Sequence, residues 1–250
     1  MPQLDFNCDL GEGCGSDTAI VPLISSASIA CGGHAGDATT MRETVWLCMQ
    51  HGVAIGAHPS FEDHVNFGRS ELPLPPAEIH ALVMRQIARL ASVCAETGAK
   101  LHHVKPHGAL YNLAARDRDV ADTIASVIHA FDPALILYGL SGSCLTDAGN
   151  AIGLRVAHEV FAERAYDADG QLAPRGTADA VIDDLDASLS QVRLLLRDGL
   201  VIARDGAHVR LRADTLCLHG DRADAAGFAL ALRKTLEAEG IVIRAPGNTP

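Results

Sequence analysis

Short apolar runs and longer amphipathic stretches alternate along the whole chain. Leu4–Cys8, Ala27–Ala30, Val53–Ala57, Leu101–Lys105, Ala134–Gly139, Leu154–His158 and Thr215–Leu218 are brief apolar or β-branched runs bounded by Gly, Pro, Asp or His. Runs of this kind predict seven strands. Between them, apolar residues recur at helical spacing. Ile79, Leu82, Val83, Ile87, Leu90, Val93 and Cys94 form one stripe, opened by Pro75–Pro76 and closed by Gly98. Val181, Leu185, Leu189, Val192 and Leu196 form another after Thr177, and a last helix with Phe228, Leu230, Leu232 and Leu236 follows Asp221. Thr40 and Glu43 have the spacing of a capping box opening a helix that runs to His51 and stops at Gly52.

This alternation predicts an α/β fold with parallel strands and helices outside them. Seven strands fit either a closed (β/α) barrel or an open doubly wound sheet. No GxGxxG follows the first strand, so a dinucleotide fold gains no support. Leu200–Ile202 and His208–Leu211, joined across Asp205–Gly206, predict a small hairpin inserted near 199–212. With no repeat or linker in view, residues 1–250 are expected to form one domain.

Charge and composition narrow the classes. The net charge of −11 argues against non-specific nucleic-acid binding and against docking on an anionic membrane. No apolar run reaches transmembrane length, and the first residues lack a basic and apolar leader. The seven Cys are scattered without a CxxC pair, which predicts reduced thiols and a cytoplasmic location.

In a (β/α) barrel the C-terminal strand ends converge on one mouth, where such folds keep their active sites. Polar residues gather at those ends. Asn7, Asp9 and Glu12 follow the first strand, His34 and Asp37 the second and His58 the third. Lys105, His107, Tyr111 and Asn112 follow the fourth, Glu159 the sixth, His219 and Asp221 the seventh. Lys105 ends a buried strand, where a charge needs a partner. Asp9, His58, Lys105 and His107 are the candidate catalytic residues: Asp9 with His58 or His107 for acid/base work, Lys105 for stabilising negative charge. Pro59–Leu74 and Phe161–Gly176 are long polar connections of the kind that form binding loops, and they carry Arg69, Arg164 and Arg175. Gly-rich turns occur, but none matches GxxxxGK[ST]. Asp9, His34, His58 and His219 also offer metal-ligand chemistry, which leaves a metal-dependent deacetylase or amidohydrolase as a second reading.

The blocks NCDLGEG, ASIACGGHAGD, GVAIGAHPSFED, NFGR, HVKPHGALYN, LRVAHEVFAERAYDADGQLAPR and CLHGD occur in this order from about residue 3 to residue 240. Together they resemble the lactam-utilisation (LamB/YcsF) family, the A-type component of 5-oxoprolinase. The resemblance implies a distorted seven-stranded (β/α) barrel similar to the glycoside hydrolase/deacetylase superfamily. It implies ring opening of 5-oxoproline to glutamate, with ATP and magnesium, beside two partner subunits, B and C. It implies that Asn7, Asp9, Glu12, His34, Asp37, His58, Arg69, Lys105, His107, Tyr111, Asn112, Glu159, Arg164, Tyr166, Arg175, His219 and Asp221 belong to the site. A non-catalytic lactam-binding component is a third reading. Three departures stand beside the expected mouth: the stretch after Glu12 (GCGSDTAIVP) is short, Gly33 occupies the place of an aromatic, and the loop PSFEDHVNFGRS is altered.

Overall fold

The computed structural model describes residues 3–220 and 224–247. In chain order its strands are β1 (Gln3–Leu10), β2 (Ser26–Ala30), β3 (Ala54–His58), β4 (Leu101–Val104), β5 (Ile136–Leu140), β6 (Arg155–Phe161), β7 (Leu200–Ile202), β8 (His208–Arg210), β9 (Thr215–His219) and β10 (Val242–Ile243). Its helices are α1 (Asp17–Ile20), α2 (Ala38–His51), α3 (Pro76–Thr97), α4 (Gly108–Arg116), α5 (Arg118–Phe131), α6 (Cys144–Ala151), α7 (Leu185–Asp198) and α8 (Ala225–Ala238).

Strands β1 to β6 and β9 pair in parallel in that order, and β1 also pairs with β9, so the seven strands close into a barrel. This decides between the barrel and the open sheet. Each predicted strand has a counterpart, shifted by at most a few residues. The hairpin is the antiparallel pair β7–β8. Two-residue β10, too short to stand out in the sequence, adds in parallel to the start of β1 through Gln3↔Val242.

The helix starts need two corrections. Helix α2 begins at Ala38 because Asp37 accepts from the Thr39 and Thr40 amides, so Asp37 caps it and the Thr40–Glu43 box does not. Helix α7 begins at Leu185 behind Asp184, which accepts from the Ala187 amide; Val181 instead bridges to Arg164 in extended conformation. Helices α2 and α3 end at Gly52 and Gly98 as expected.

The period of two along β1 sorts its residues between two environments. Leu4, Phe6, Cys8 and Leu10 belong to the apolar core between strands and helices. Asp5, Asn7 and Asp9 face the barrel interior, which here is polar rather than filled with branched aliphatics. At the bottom, Asp5 accepts from Ser25 (2.6 Å), Ser26 (2.7 Å), Tyr138 (3.0 Å) and Thr215 (2.6 Å). Burial raises its carboxyl above the ordinary range, and these hydroxyls only partly offset that. Thr215 Oγ1 in turn accepts from Asn7 Nδ2 at 2.6 Å. Asn7 Oδ1 accepts from Lys105 at 2.8 Å. A hydrogen-bonded column thus runs from the barrel bottom to the mouth.

Register places His103 beside Gly56, and the buried imidazole stacks on Tyr138 at 4.1 Å. A Cβ at position 56 would lie 2.1 Å from His103 Nε2. Gly56→Ala is therefore expected to cost about 1–3 kcal/mol in denaturant unfolding, and Gly56→Ala/His103→Ala together should cost less than the sum of the two single changes. Simple additivity in that cycle would contradict the packing described.

Candidate active site

Lys105 follows β4 and lies almost fully inside the barrel, at 2 % exposure. Its ammonium contacts Asp9 Oδ1 (2.5 Å), Asn7 Oδ1 (2.8 Å), Glu159 Oε1 (2.9 Å) and Cys217 Sγ (3.4 Å). Burial opposes the charge, but Asp9 and Glu159 outweigh it and hold the Lys105 pKa well above the ordinary lysine range. Asp9 responds in the same way. Burial pushes its carboxyl up, the His58 ring and the Lys105 ammonium outweigh that, and its pKa falls well below the ordinary range. The pair is therefore ionised at neutral pH. Hydrogen bonds to Asn7, Glu159 and Cys217 and the ion pair with Asp9 make Lys105 the organiser of the site's charge.

Asp9 Oδ2 points the other way, 3.3 Å from His58 Nε2 and 3.9 Å from His219 Nε2. His219 is oriented by Glu163, whose carboxylate takes Nδ1 at 2.6 Å. His58 Nδ1 lies 2.7 Å from the Lys105 carbonyl, and His107 Nε2 lies 2.9 Å from the Phe67 carbonyl. A carbonyl only accepts, so both of these nitrogens carry hydrogen. The remaining nitrogens, His58 Nε2 and His107 Nδ1, face each other at 3.0 Å. In two neutral rings both would present lone pairs, so the gap calls for a proton or another cation.

The His107 ring is held on its other face by His34, stacked at 3.7 Å. Burial, and then His34 and His58, lower the His107 pKa well below the ordinary histidine range. His34 is brought down to about 3 by burial and then by His58, and its nitrogens are taken by Ser60 (2.9 Å) and Glu12 (2.9 Å). Phe67, whose carbonyl fixes His107, has a left-handed φ of 56°. Such a conformation is uncommon for a bulky residue and marks a constrained turn. Gly68 beside it has no room for a side chain, since a Cβ would lie 2.8 Å from His34 Cβ and 3.0 Å from His107 Cδ2.

A cavity of about 790 Å³ opens above this cluster. Asp9, His58, Lys105, His107, Tyr111, Glu159 and His219 line it, together with Arg69, Asn112, Arg164 and Arg175. Both long connections contribute to its wall. Arg164 donates to the Ala173 and Ala180 carbonyls, and burial, then the nearby Arg175, brings its pKa down to about 10. Arg175 makes no hydrogen bond or ion pair among the described residues. Burial, and then the Glu159 carboxylate, push the Tyr111 phenol well above its ordinary range, so it stays protonated as a donor at the cavity wall.

Other expected site residues fall elsewhere. Asn7 lies beneath the cavity inside the barrel, and Glu12 and His34 support His107 from the side. Asp37 is exposed and caps α2. Tyr166 is fully buried and does not line the cavity; its hydroxyl accepts from the Phe161 amide. Asp221 lies outside the described residues. The expected metal-ligand set is also redrawn. Both His34 nitrogens are taken, and the ligand atoms gather in two groups, each within 4.8 Å: Asp9, Glu12, His58 and His107 in one, and Asp9, Cys217 and His219 in the other. Sequence reasoning passed over Glu163, Thr215 and Cys217. The last two share a strand face with His219 at a period of two, and Glu163 sits inside the AERAYD block.

The LamB/YcsF family model matches residues 4–249. The chain belongs to the LamB/YcsF family. It is 52 % identical over 249 residues to a Bordetella pertussis protein named as the A component of 5-oxoprolinase, covering 98 % of this chain and 99 % of that one. A Chloroflexus aggregans protein of the same name is 53 % identical over 251 residues, covering 98 % and 100 %. The crystal structure of a lactam utilization protein from Thermus thermophilus superposes with a TM-score of 0.90 at 45 % identity, covering 97 % of this chain and 99 % of that one. Within this family setting Gly33 has a local explanation. A Cβ there would meet Ser60 Oγ at 2.4 Å and Gln86 Oε1 at 2.6 Å. Gln86 grips the Ser60 backbone at both ends, so these side chains fill the space an aromatic would need.

Removing the Lys105 charge leaves Asp9 and Glu159 buried together without a cation. Lys105→Met is expected to cost about 3–5 kcal/mol in urea unfolding, with part of it regained when Glu159→Gln is added. An unchanged unfolding midpoint would show that the ammonium is not the compensating charge.

Proposed function

We propose that this cavity opens a five-membered lactam, converting 5-oxoproline to glutamate in an ATP-dependent reaction shared with two partner subunits. The observation that carries this reading is one cavity lined both by an ionised Asp9–Lys105 pair with two fixed imidazoles and by the Arg69, Arg164 and Arg175 guanidinium groups. It is supported by identity above 50 % over nearly full length to proteins named as the A component of 5-oxoprolinase. The substrate has one carboxylate and one ring amide. Arg175, with Arg164 beside it, suits bidentate capture of the carboxylate, since guanidinium matches its geometry. That would leave the ring amide toward Asp9, His58 and His107.

Amide resonance makes the lactam carbonyl a poor electrophile and the ring nitrogen a poor leaving group. Transfer of the γ-phosphoryl group of ATP to the carbonyl oxygen removes that resonance and releases ADP. Water then adds to the activated carbon, losing a proton to the Asp9–His58–His107 group. The ring C–N bond breaks as the nitrogen gains a proton, leaving an acyl phosphate. A second water releases phosphate and glutamate. Burial of Asp9 and Lys105 keeps the field at the cavity floor strong, because few water dipoles screen it. The described residues contain no P-loop, and the reading therefore gives a share in handling ATP to the partner proteins.

No helix among the described residues is long and apolar enough to cross a membrane. We place the reaction in the cytoplasm, in keeping with the scattered free thiols.

The test is glutamate release from 5-oxoproline by this chain, alone and with its partners, with ATP present or omitted. Release is expected only with partners and ATP together. Release by the chain alone without ATP would favour direct amide hydrolysis, and lactam binding without turnover in the full complex would favour a carrier role. In the active complex, Asp9→Asn is expected to lower kcat by about 10²–10⁴-fold while the circular dichroism spectrum stays unchanged. Near-normal kcat would remove Asp9 from the chemistry.

A further inference from the structure

His58, His107, Asp9 and Glu12 come from four separate segments of the chain, yet their ligand atoms converge on one point beside the cavity floor. His58 Nε2 and His107 Nδ1 lie 3.0 Å apart, Asp9 Oδ2 lies 3.3 Å from the former, and Glu12 Oε1 lies 3.7 Å from the latter. Ligand atoms about 2.0–2.2 Å from a common ion stand about 3.0–3.5 Å apart along the edges of a tetrahedron or octahedron. The first two separations fall in that range and the third lies just outside it.

The hydrogen bonds on the far sides of the rings point the same way. Each imidazole gives its other N–H to a backbone carbonyl, Lys105 for His58 and Phe67 for His107. Metal-binding histidines are held in this manner, which fixes the tautomer and aims the lone pair. Asp9 is similarly divided: Lys105 takes Oδ1 and leaves Oδ2 for this side. A shared proton would satisfy the two nitrogens. It would not by itself place Asp9 Oδ2 beside the same gap, with Glu12 Oε1, which also takes His34 Nε2 at 2.9 Å, on its other side.

We propose that these four side chains form a binding site for one divalent first-row transition ion, of the zinc, manganese or cobalt kind that mixed imidazole and carboxylate ligands favour. The site is distinct from any ATP-bound magnesium and does not depend on the lactam reading. Because Asp9, His58 and His107 also line the cavity, the ion would present its open position to a water or carbonyl oxygen there.

The test uses the full-length chain, stripped with a chelator, dialysed and titrated with Zn²⁺ or Co²⁺ alone. Metal content after removal of excess ion, the cobalt ligand-field spectrum and the shift in Tm are the readouts. One equivalent of bound ion, a visible cobalt spectrum and a raised Tm are expected. His107→Ala should weaken binding by more than the roughly 10–100-fold that loss of an outer hydrogen bond causes, while surface His51→Ala should not change it. Background metal content with a flat cobalt titration in the wild-type chain would overturn the site and leave a shared proton in the gap. Equal affinity in wild type and folded His107→Ala would overturn it as well. If His107→Ala does not fold, the wild-type titration and Asp9→Asn carry the same decision. Neither outcome turns on glutamate release, so failure of the metal site and failure of the lactam reading are told apart.

Discussion

One buried ammonium holds the interior of this barrel together. Lys105 brings a positive charge to the axis, where Asp9 and Glu159 converge from different strands and Asn7 links them to the hydroxyls below. Without that charge, two carboxylates would share a space nearly closed to water, and such a group costs several kcal/mol. With it, the barrel carries polar residues along its length and presents an ionised cluster at its mouth. The outward faces of the same strands are apolar and packed under the helices, so the cost of the polar interior is offset by an ordinary aliphatic core.

The geometry of the cluster at the mouth is a consequence of how tightly the neighbours of this charge are fixed. His58 is tied to the Lys105 carbonyl, His107 to the carbonyl of the constrained Phe67 and to the stacked His34 ring, and His219 to Glu163. Each sets the direction of a lone pair or a charge at the cavity floor. The two long connections supply guanidinium groups to the same cavity, so strand ends and loops each contribute a part of its lining. Loops on a rigid scaffold commonly take on binding in this way.

Much of this was legible in the chain. Seven apolar runs ended by polar residues are enough to argue a barrel mouth, and Lys105 at a buried strand end announced that partners had to exist. Which partners was not legible, because they are set by register between strands far apart in sequence. Asn7, Thr215 and Glu159 meet only because β1, β6 and β9 are neighbours. Tyr166 and Asp37 sit in blocks that resemble the family as strongly as Asp9 does, yet one serves a backbone amide and the other a helix end. A motif records that a residue type is wanted at a position; only packing shows whether the cavity or the scaffold wants it. The same holds for Gly33, whose absent side chain makes sense once Gln86 and Ser60 are seen in its place.

The proposed function puts a small lactam on the floor of this cavity, between the Asp9–His58–His107 group and the Arg164 and Arg175 guanidinium groups. A crystal structure of the chain with 5-oxoproline tests that placement most directly. The ring is expected inside the barrel mouth, with its carboxylate on one of these guanidinium groups and its amide edge toward Asp9 and the two imidazoles. A ring bound outside this cavity, for instance in the groove beside Trp46 and Leu47 on α2, would contradict it.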